Sequence, residues 1–285
     1  MAQIFRDFGS EVLLLEAAER GLREVEPEIA KNLGAALAEE DRLTIVTSAK
    51  VKEIKGRPGS AEVYYEDGSG KVASAGCDYV VMATGKRPVL EPLKLDSAGV
   101  KSDKSLIPVD AACRTNIPHI FAVGDVNGGY MLAHTAGHQG RVAASNILGE
   151  PAKYDQDLDC GVIFTRPQAA FVGLSAEQAK AKGIDAAEVK VPISIDAKAM
   201  INSETKGMIK IVADKKTRRI VGVHFLVDHA DTLIGEAVMM VSAGLTLEQV
   251  AHAIHPHPTQ TELFGEMARR LLSRLRRTQK SAGKS

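Results

Sequence analysis

Short apolar strands and helices alternate through the first 86 residues, and this alternation constrains the fold more than any other feature of the sequence. Apolar runs at 11–16 and 43–46 flank a helix predicted over 27–40, which has Pro27 in its first turn. Further strands are predicted at 50–54, 61–65 and 78–83. Strands that alternate with helices are typical of a mostly parallel sheet covered by helices. The sequence therefore predicts the α/β class for this part of the chain.

The pattern changes around Gly149-Glu150-Pro151. A strand at 120–123 and a helix at 133–148 are predicted before this break. Beyond it, paired strands at 162–164, 169–173, 208–213 and 220–226 and helices at 231–243, 247–253 and 260–277 predict an antiparallel α+β domain. We therefore predict four parts, which are residues 1–86, 87–150 and 151–277, followed by a disordered tail at 278–285.

Composition excludes several classes of function. The 36 basic and 36 acidic side chains balance and Trp is absent, so we predict neither a nucleic-acid partner nor a charged membrane surface as a partner. No apolar run reaches the length that spans a bilayer. The three cysteines Cys77, Cys113 and Cys160 lie far apart, without zinc or disulfide spacing, and this predicts a reducing cytoplasm.

The segment from His255 to Glu262 reads His-Pro-His-Pro-Thr-Gln-Thr-Glu. A histidine titrates near neutral pH, and a carboxylate five residues on can fix its tautomer, so His257 and Glu262 form a candidate general acid/base pair. The alternative is that Thr259 and Glu262 form a capping box at the start of the last helix. The cap would account for Thr259 and Glu262 but not for the two histidines.

A second candidate site follows the predicted strand at 120–123. Gly124 allows close backbone approach and Asp125 can accept a sugar-like hydroxyl, while the stretch from Met131 to His134 opens a helix whose free amides suit an electron-rich ligand edge. The alternative for Gly124-Asp125 is an ordinary turn with an N-cap aspartate. His134 and His138 lie one helical turn apart, but Thr135 stands where a zinc-protease motif requires glutamate, so we predict no metal site.

Glu16 ends the first apolar strand, the position of the acidic residue that binds the ribose hydroxyls in a dinucleotide-binding unit. Only fifteen residues precede it, so the glycine-rich turn of such a unit would lie upstream of Met1. An acid at a strand end is common, and Glu16 alone does not define the unit. The basic stretch at 269–277 is interpreted as a solvated helix face.

Together these residues resemble the flavin-dependent pyridine nucleotide–disulfide oxidoreductases, and among them the dihydrolipoamide dehydrogenases. The resemblance is collinear over nearly the whole chain. It rests on Gly-Ser-Glu-Val-Leu-Leu-Leu-Glu at 9–16, Ala-Thr-Gly-Lys-Arg-Pro at 83–88, Ile-Pro-His-Ile-Phe-Ala-Val-Gly-Asp at 117–125, Met-Leu-Ala-His at 131–134, Thr-Arg-Pro-Gln at 165–168, and the segment from His255 to Glu262. It implies a partial Rossmann-like NAD domain at 1–86, a segment of the FAD domain at 87–150 and an α+β dimerisation domain at 151–277.

The resemblance also implies residue roles. Asp125 is expected to bind the ribityl hydroxyls of FAD. The residues expected against the isoalloxazine ring are Met131, Leu132, Ala133 and His134, and those expected at the NAD site are Glu16, Val51 and Gly85. His257, held by Glu262, is expected to exchange protons with a dithiol in the site of the other subunit, which implies an obligate homodimer. His255 is expected to support this pair.

The implied reaction is oxidation of a dihydrolipoyl-type dithiol by NAD⁺ through FAD, with a 2-oxoacid dehydrogenase complex as the candidate setting. This sequence departs from the family pattern, because it has neither glycine-rich turn nor a Cys-x-x-x-x-Cys redox pair. We therefore expect it to be the C-terminal portion of a longer reductase and inactive by itself.

The alternatives are a non-catalytic dimerisation fragment, a glutathione-reductase-like member and a mercuric-reductase-like member of the same family. Glu16 argues against NADP, whose 2′-phosphate it would repel. The His257–Glu262 pair argues against the mercuric reductases, which the resemblance indicates lack it.

Overall fold

A helix and two parallel strands open the chain. The computed structural model describes residues 1–103 and 105–282, with side chains described to residue 278. Helix α1 (Ala2–Asp7) leads into strand β1 (Val12–Leu15), helix α2 (Pro27–Ala38) and strand β2 (Leu43–Val46). Strands β1 and β2 pair in parallel, with Val12 opposite Leu43. The strands predicted at 11–16 and 43–46 and the helix predicted at 27–40 are confirmed.

Local sequence explains why α2 begins where it does. Pro27 occupies its first turn, and the Glu26 carboxylate accepts hydrogen bonds from the backbone N–H groups of Glu28 and Ile29. The side chains that α2 buries include Ile29 and Leu33, one helical turn apart on a single face.

An antiparallel meander follows, made of β3 (Lys50–Arg57), β4 (Ser60–Glu66) and β5 (Val72–Cys77). The first two strands were predicted from sequence, but β5 was not. The strand predicted at 78–83 is wrong, because this stretch has no strand pairing. Tyr79 is 75% exposed and Met82 is 67% exposed. An apolar run becomes a strand only when a neighbour completes its hydrogen-bond ladder, and this run has no such neighbour among the described residues.

The chain divides into two units, residues 1–81 together with those from 160 onward, and residues 82–159. The second unit contains one α-helix within its described residues, α3 (Ala133–Ile147), close to the predicted 133–148. The strand predicted at 120–123 is wrong, because only an isolated bridge joins Phe121 to Arg114. A turn of 3-10 helix follows at Gly124–Asn127. This unit is therefore built mainly from turns and extended segments, with a small core around Val100, Ile107 and Ala122.

The rest of the first unit is the antiparallel α+β domain that the sequence predicts. Its five strands lie in the order β6-β7-β10-β9-β8. They are β6 (Cys160–Ile163), β7 (Gln168–Gly173), β8 (Ala186–Pro192), β9 (Met208–Asp214) and β10 (Ile220–Val227). The helices are α4 (Ala176–Ala181), α5 (Ala197–Asn202), α6 (Ala230–Ser242), α7 (Leu247–His252) and α8 (Glu262–Ala282). Strand β8 and helix α5 were not predicted.

One face of this sheet carries the main core. Alternate residues such as Ile211, Val223 and Phe225 are buried against α6 and α8, where Phe264 and Leu271 are fully buried. Helix α8 continues to Ala282, so residues 278–282 of the predicted disordered tail are helical, and residues 283–285 lie outside the described part of the chain. Among the described residues, no helix combines the length and the apolarity needed to cross a bilayer.

The unpaired stretch at 78–83 predicts where a protease cuts first. Chymotrypsin should cleave after Tyr79 before it cleaves after Phe164, although the two rings are 75% and 76% exposed, because Phe164 follows a strand held in a ladder. Mass spectrometry of early digests checks this. Tyr79→Ser should remove the first cut and Phe164→Ser should leave it unchanged; simultaneous cleavage at both sites would contradict the prediction.

Candidate active site

His257 and Glu262 are brought together at the start of α8. His257 lies in the loop after α7, and its Nδ1 atom is 3.1 Å from each carboxylate oxygen of Glu262. A carboxylate only accepts hydrogen bonds, so Nδ1 carries the hydrogen and Nε2 is the basic nitrogen. The His257 side chain is 71% exposed, which leaves Nε2 accessible to an external donor. The arrangement is that of a general base whose tautomer is fixed by its neighbour.

Glu262 also caps the helix, so the two interpretations of the sequence describe the same carboxylate. Its Oε2 atom accepts the backbone N–H of Thr259 at 2.9 Å. The Thr259 hydroxyl instead donates to the Pro256 carbonyl oxygen at 2.7 Å, so only half of the capping box forms. Two hydrogen bonds hold the pKa of Glu262 below its usual range; the one from the Thr259 N–H has the larger effect and the one from His257 the smaller. The carboxylate therefore stays charged where it contacts the imidazole.

His255 is a buried neighbour of this pair. Its side chain is 10% exposed, and Nε2 lies 2.9 Å from Oε1 of Glu236 on α6. Its ring also covers Gly265, where an added Cβ would lie 3.2 Å from the imidazole Nδ1. Such packing suits the supporting role expected of His255. Glu236 was not identified from sequence, because it lies nineteen residues upstream of His255, on helix α6.

In the second unit, Gly124 and Asp125 form a turn against α3. Gly124 has φ +78°, and an added Cβ would lie 3.0 Å from Cβ of Ala136. Its N–H donates to Oε1 of the buried Gln139 at 2.7 Å, and the Asn127 amide donates to the same oxygen at 2.9 Å. Sequence reasoning missed Gln139, although a glutamine on the buried stripe of an amphipathic helix is a usable signal.

The start of α3 has no side-chain cap. Leu132 occupies the N-cap position without a capping hydrogen bond, and Met131 before it has φ +53°. The apolar side chain of Leu132 therefore accepts none of the first-turn amide hydrogens of this helix. The sequence-predicted residues from Met131 to His134 lie at this helix end, where an electron-rich or anionic group is favoured.

Lys86 binds the predicted ligand residue Asp125. Its ammonium group donates to Oδ2 of Asp125 and to the Met131 carbonyl oxygen, both at 3.0 Å. The Asp125 side chain remains 47% exposed. Lys86 was part of the motif that carried the resemblance, but it had no assigned role. The neighbouring Gly85 has φ +108° and open space around it.

The buried carboxylate of Asp159 forms hydrogen bonds with the first turn of α3. The Asp159 side chain is 6% exposed and accepts hydrogen bonds from the Thr135 hydroxyl, at 2.8 and 2.9 Å, and from the Tyr154 hydroxyl, at 2.8 Å. Its Oδ1 also lies 4.0 Å from Nε2 of His134. Burial, and then the Asp159 carboxylate, raise the pKa of the Tyr154 phenol. These partners come from separate segments, and the sequence did not indicate them.

The residues predicted for NAD in the first unit lie where β1 ends. The Glu16 carboxylate accepts the Ala18 N–H at 2.7 Å, and its carbonyl oxygen accepts the N–H of Ala49 at 2.9 Å. Val51 follows on β3, opposite Tyr65, and is 47% exposed. The structure thus brings Glu16 and the stretch leading to Val51 to one end of the β1–β2 pair.

Known proteins resemble the chain along most of its length. Residues 1–140 match the sequence model of the pyridine nucleotide-disulphide oxidoreductases, and residues 160–268 match the model of their dimerisation domain. The dihydrolipoyl dehydrogenase of Bacillus subtilis is 32% identical and that of Geobacillus stearothermophilus 35% identical, each over 93% of this chain and 56% of the relative. The fold is similar to the crystal structure of LpdA from Mycobacterium tuberculosis, with a TM-score of 0.84 and 24% identity over 94% of this chain and 57% of that one.

These matches place the chain in a family of oxidoreductases. It belongs to the pyridine nucleotide-disulphide oxidoreductases and carries their dimerisation domain. The fold class expected from sequence is confirmed, with an α/β portion followed by the dimerisation domain. The chain spans a little over half the length of the curated relatives that it matches.

The two hydrogen bonds to Glu262 predict how its carboxyl group titrates. In His257→Gln the pKa of Glu262 should rise, since one favourable contact is lost, but it should stay below the usual range because the stronger Thr259 N–H contact remains. Carbon-13 NMR titration of the glutamate carboxyls measures this change. His252→Gln, at an exposed histidine on α7, is the matched control. An unchanged pKa in His257→Gln would refute the coupling.

Close packing at Gly124 predicts a steric cost beyond backbone strain. Gly124→Ala and Gly129→Ala both place a side chain at positive φ, +78° and +75°, but only position 124 has a neighbour within 4 Å. Each substitution should lower the free energy of unfolding by about 1–2 kcal/mol from strain. Gly124→Ala should cost a further ~1 kcal/mol or more through its contact with Ala136. Urea unfolding compares them, and equal losses would show that the contact relaxes freely.

Proposed function

We propose that this chain supplies nicotinamide-side, flavin-side and subunit-interface residues of an FAD-dependent oxidoreductase of the dihydrolipoamide dehydrogenase type. The reaction converts a dihydrolipoyl dithiol and NAD⁺ into the disulfide, NADH and a proton. The observation that supports it most directly is the Nδ1 contact of His257 with Glu262 at 3.1 Å. The 32–35% identity to two dihydrolipoyl dehydrogenases supports the same substrate class.

His257 is the proposed acid/base. With Nδ1 donating to Glu262, Nε2 can take a thiol proton and return it in the reverse direction. Positioned acid/base catalysis typically contributes about 10²–10⁴-fold to the rate. Glu262 stabilises the imidazolium that forms when the proton is taken. No cysteine pair in this chain has the spacing of a redox disulfide, so the dithiol exchange requires cysteines from outside it.

The residues of the second unit fit the proposed FAD role. Gly124 lets the turn at Asp125 lie close to α3, and the N-terminal end of that helix, where the N-cap residue is the apolar Leu132, suits a polar ring edge. When bound, FAD would relay electrons from the dithiol to NAD⁺. Asp125 would accept ribityl hydroxyls, and this requires Lys86 to share or release the carboxylate. Leu132, Ala133 and His134 are the proposed neighbours of the ring, together with Met131.

Glu16, Val51 and Gly85 are the proposed NAD residues. The Glu16 carboxylate follows a parallel strand and would accept ribose hydroxyls, which favours NAD over NADP. A cytoplasmic location is proposed because no disulfide joins Cys77, Cys113 and Cys160. A 2-oxoacid dehydrogenase complex is the proposed setting for the dithiol.

A homodimer is proposed from the match to the dimerisation domain at 160–268. Large apolar side chains on this domain support it, because Phe164, Met239 and Ile254 are 76%, 63% and 98% exposed. Such apolar exposure is expected where a second subunit packs. In the proposed dimer, His257 acts in the site of the partner subunit.

The competing proposal is a non-catalytic dimerisation module. Two observations favour it, the ion pair that engages Asp125 and the unpaired apolar stretch at 78–83. Glutathione-reductase-like and mercuric-reductase-like functions are weaker candidates, because Glu16 disfavours NADP and the mercuric enzymes are expected to lack the His257–Glu262 pair.

A chimera separates these proposals. Joined behind the N-terminal portion of the Geobacillus stearothermophilus dihydrolipoyl dehydrogenase that precedes the matched region, this chain should give dihydrolipoamide-dependent NAD⁺ reduction. His257→Gln should lower kcat about 10²–10⁴-fold at equal flavin content, and His252→Gln should not. A dimeric chimera that holds flavin but has no turnover would favour the non-catalytic module. Turnover by the isolated chain would contradict the requirement for cysteines from outside it.

A further inference from the structure

Helix α2 lies on the face of the five-stranded sheet opposite to the main core. Side chains alternate along a strand, so Ile209 and Ile211 point to the α6–α8 side while Met208 and Lys210 point to the other. On that other face, the Asn32 amide of α2 lies 3.4 Å from Sδ of Met208. The contact therefore joins α2 to the five-stranded sheet β6-β7-β10-β9-β8, which is called the dimerisation sheet below.

Buried charges hold this contact. The Lys210 side chain is 5% exposed, and its Nζ lies 2.7 Å from Glu26, 3.1 Å from Glu28 and 3.5 Å from Glu188. The Glu26 side chain is 9% exposed. Lys190 on β8 completes the group, with Nζ 2.6 Å from Glu28. Charges this deeply buried are tolerated only when paired, so α2 and the sheet depend on each other at this point.

His224 is buried beside this cluster. It lies on β10 directly opposite Lys210 and is 3% exposed. Neither ring nitrogen has a hydrogen-bond partner of ordinary geometry within the described residues. Burial lowers the pKa of the imidazole. The Leu174 backbone opposes this shift most, followed by the charges of Glu26, the N-cap residue of α2, and of Glu188 on β8, whereas Lys210 on β9 lowers the pKa further. The docked arrangement therefore disfavours the charged form of His224.

We propose that His224 and the Lys210–Glu26–Glu28–Glu188 cluster form an acid-sensitive latch that fastens helix α2 to the dimerisation sheet and releases it as pH falls below neutrality.

The direction follows from proton linkage. When α2 lifts away, His224 gains access to water and its pKa returns toward about 6.5. Below that pH the opened form binds a proton that the docked form excludes. The docking equilibrium then weakens by up to about tenfold for each unit of pH, until the lowered pKa of the docked state is reached. Above about pH 7 the latch is independent of pH. The ion pair between Lys210 and Glu28 stays charged over this pH range, because Lys210 has a raised pKa and Glu28 has a lowered pKa.

Hydrogen exchange tests the latch in the intact chain without any cofactor. Amide protection in α2, after correction for the intrinsic pH dependence of exchange, should be constant from pH 7.5 to about 6.5 and fall about tenfold by pH 5.5. Helix α8, on the opposite face of the sheet, is the internal reference and should keep its protection. Parallel loss in α2 and α8 would mean global acid unfolding and would overturn the proposal.

Two variants isolate His224. His224→Leu and His224→Gln cannot take up a proton, so each should abolish the fall in α2 protection between pH 6.5 and 5.5, whatever its effect on overall stability. Using both keeps the test decisive if the apolar variant fails to fold. His252→Gln, an exposed histidine of the same unit, should retain the wild-type profile. A variant at 224 with an unchanged pH profile would assign the acid response to other groups and refute the latch.

Discussion

The five-stranded antiparallel sheet has to bury both of its faces, and the first unit is organised around that requirement. One face is covered by α6 and α8 and contains the fully buried Phe225 and Phe264. The other face carries Lys210 and His224, which water would normally solvate, and helix α2 covers them with its own acidic residues. A short parallel pair such as β1–β2 has little core of its own, so its attachment depends on this second face.

At the start of α8, a single carboxylate does two things that are usually considered separately. Glu262 accepts a backbone N–H that begins the helix and also holds the imidazole of His257. The cap fixes the carboxylate to the start of α8, the longest helix among the described residues, and the hydrogen bond to the carboxylate holds the imidazole there. A side chain on a loop is thereby positioned by a helix, as the acid/base role proposed for His257 would require.

Sequence reasoning succeeded where the determinant is local. Pro27, which the sequence places in the first turn of the helix predicted at 27–40, marks the observed start of α2. Sequence reasoning failed at 78–83, an apolar run without a strand partner among the described residues, and at 120–123, where pairing stops at a single bridge. It also failed at β8, whose short alternation includes the exposed Lys190 between Val189 and Val191. Side chains that act through space were also missed: Lys86, Gln139, Asp159 and Glu236 meet their partners across distances that no spacing rule encodes. The His257–Glu262 pair was found because both residues lie in a single segment of eight residues, from His255 to Glu262.

The ion pair between Lys86 and Asp125 makes the second unit sensitive to ionic strength. Both side chains are well exposed, at 65% and 47%, and dissolved salt screens such pairs over a Debye length of about 10 Å at 0.1 M. Counterions would loosen the ammonium from the carboxylate and free its oxygens for hydroxyl groups. The neutral polyol segment proposed as the ligand of Asp125 would then bind more readily in concentrated electrolyte than in dilute buffer, the opposite of the behaviour expected for a ligand attracted by net charge.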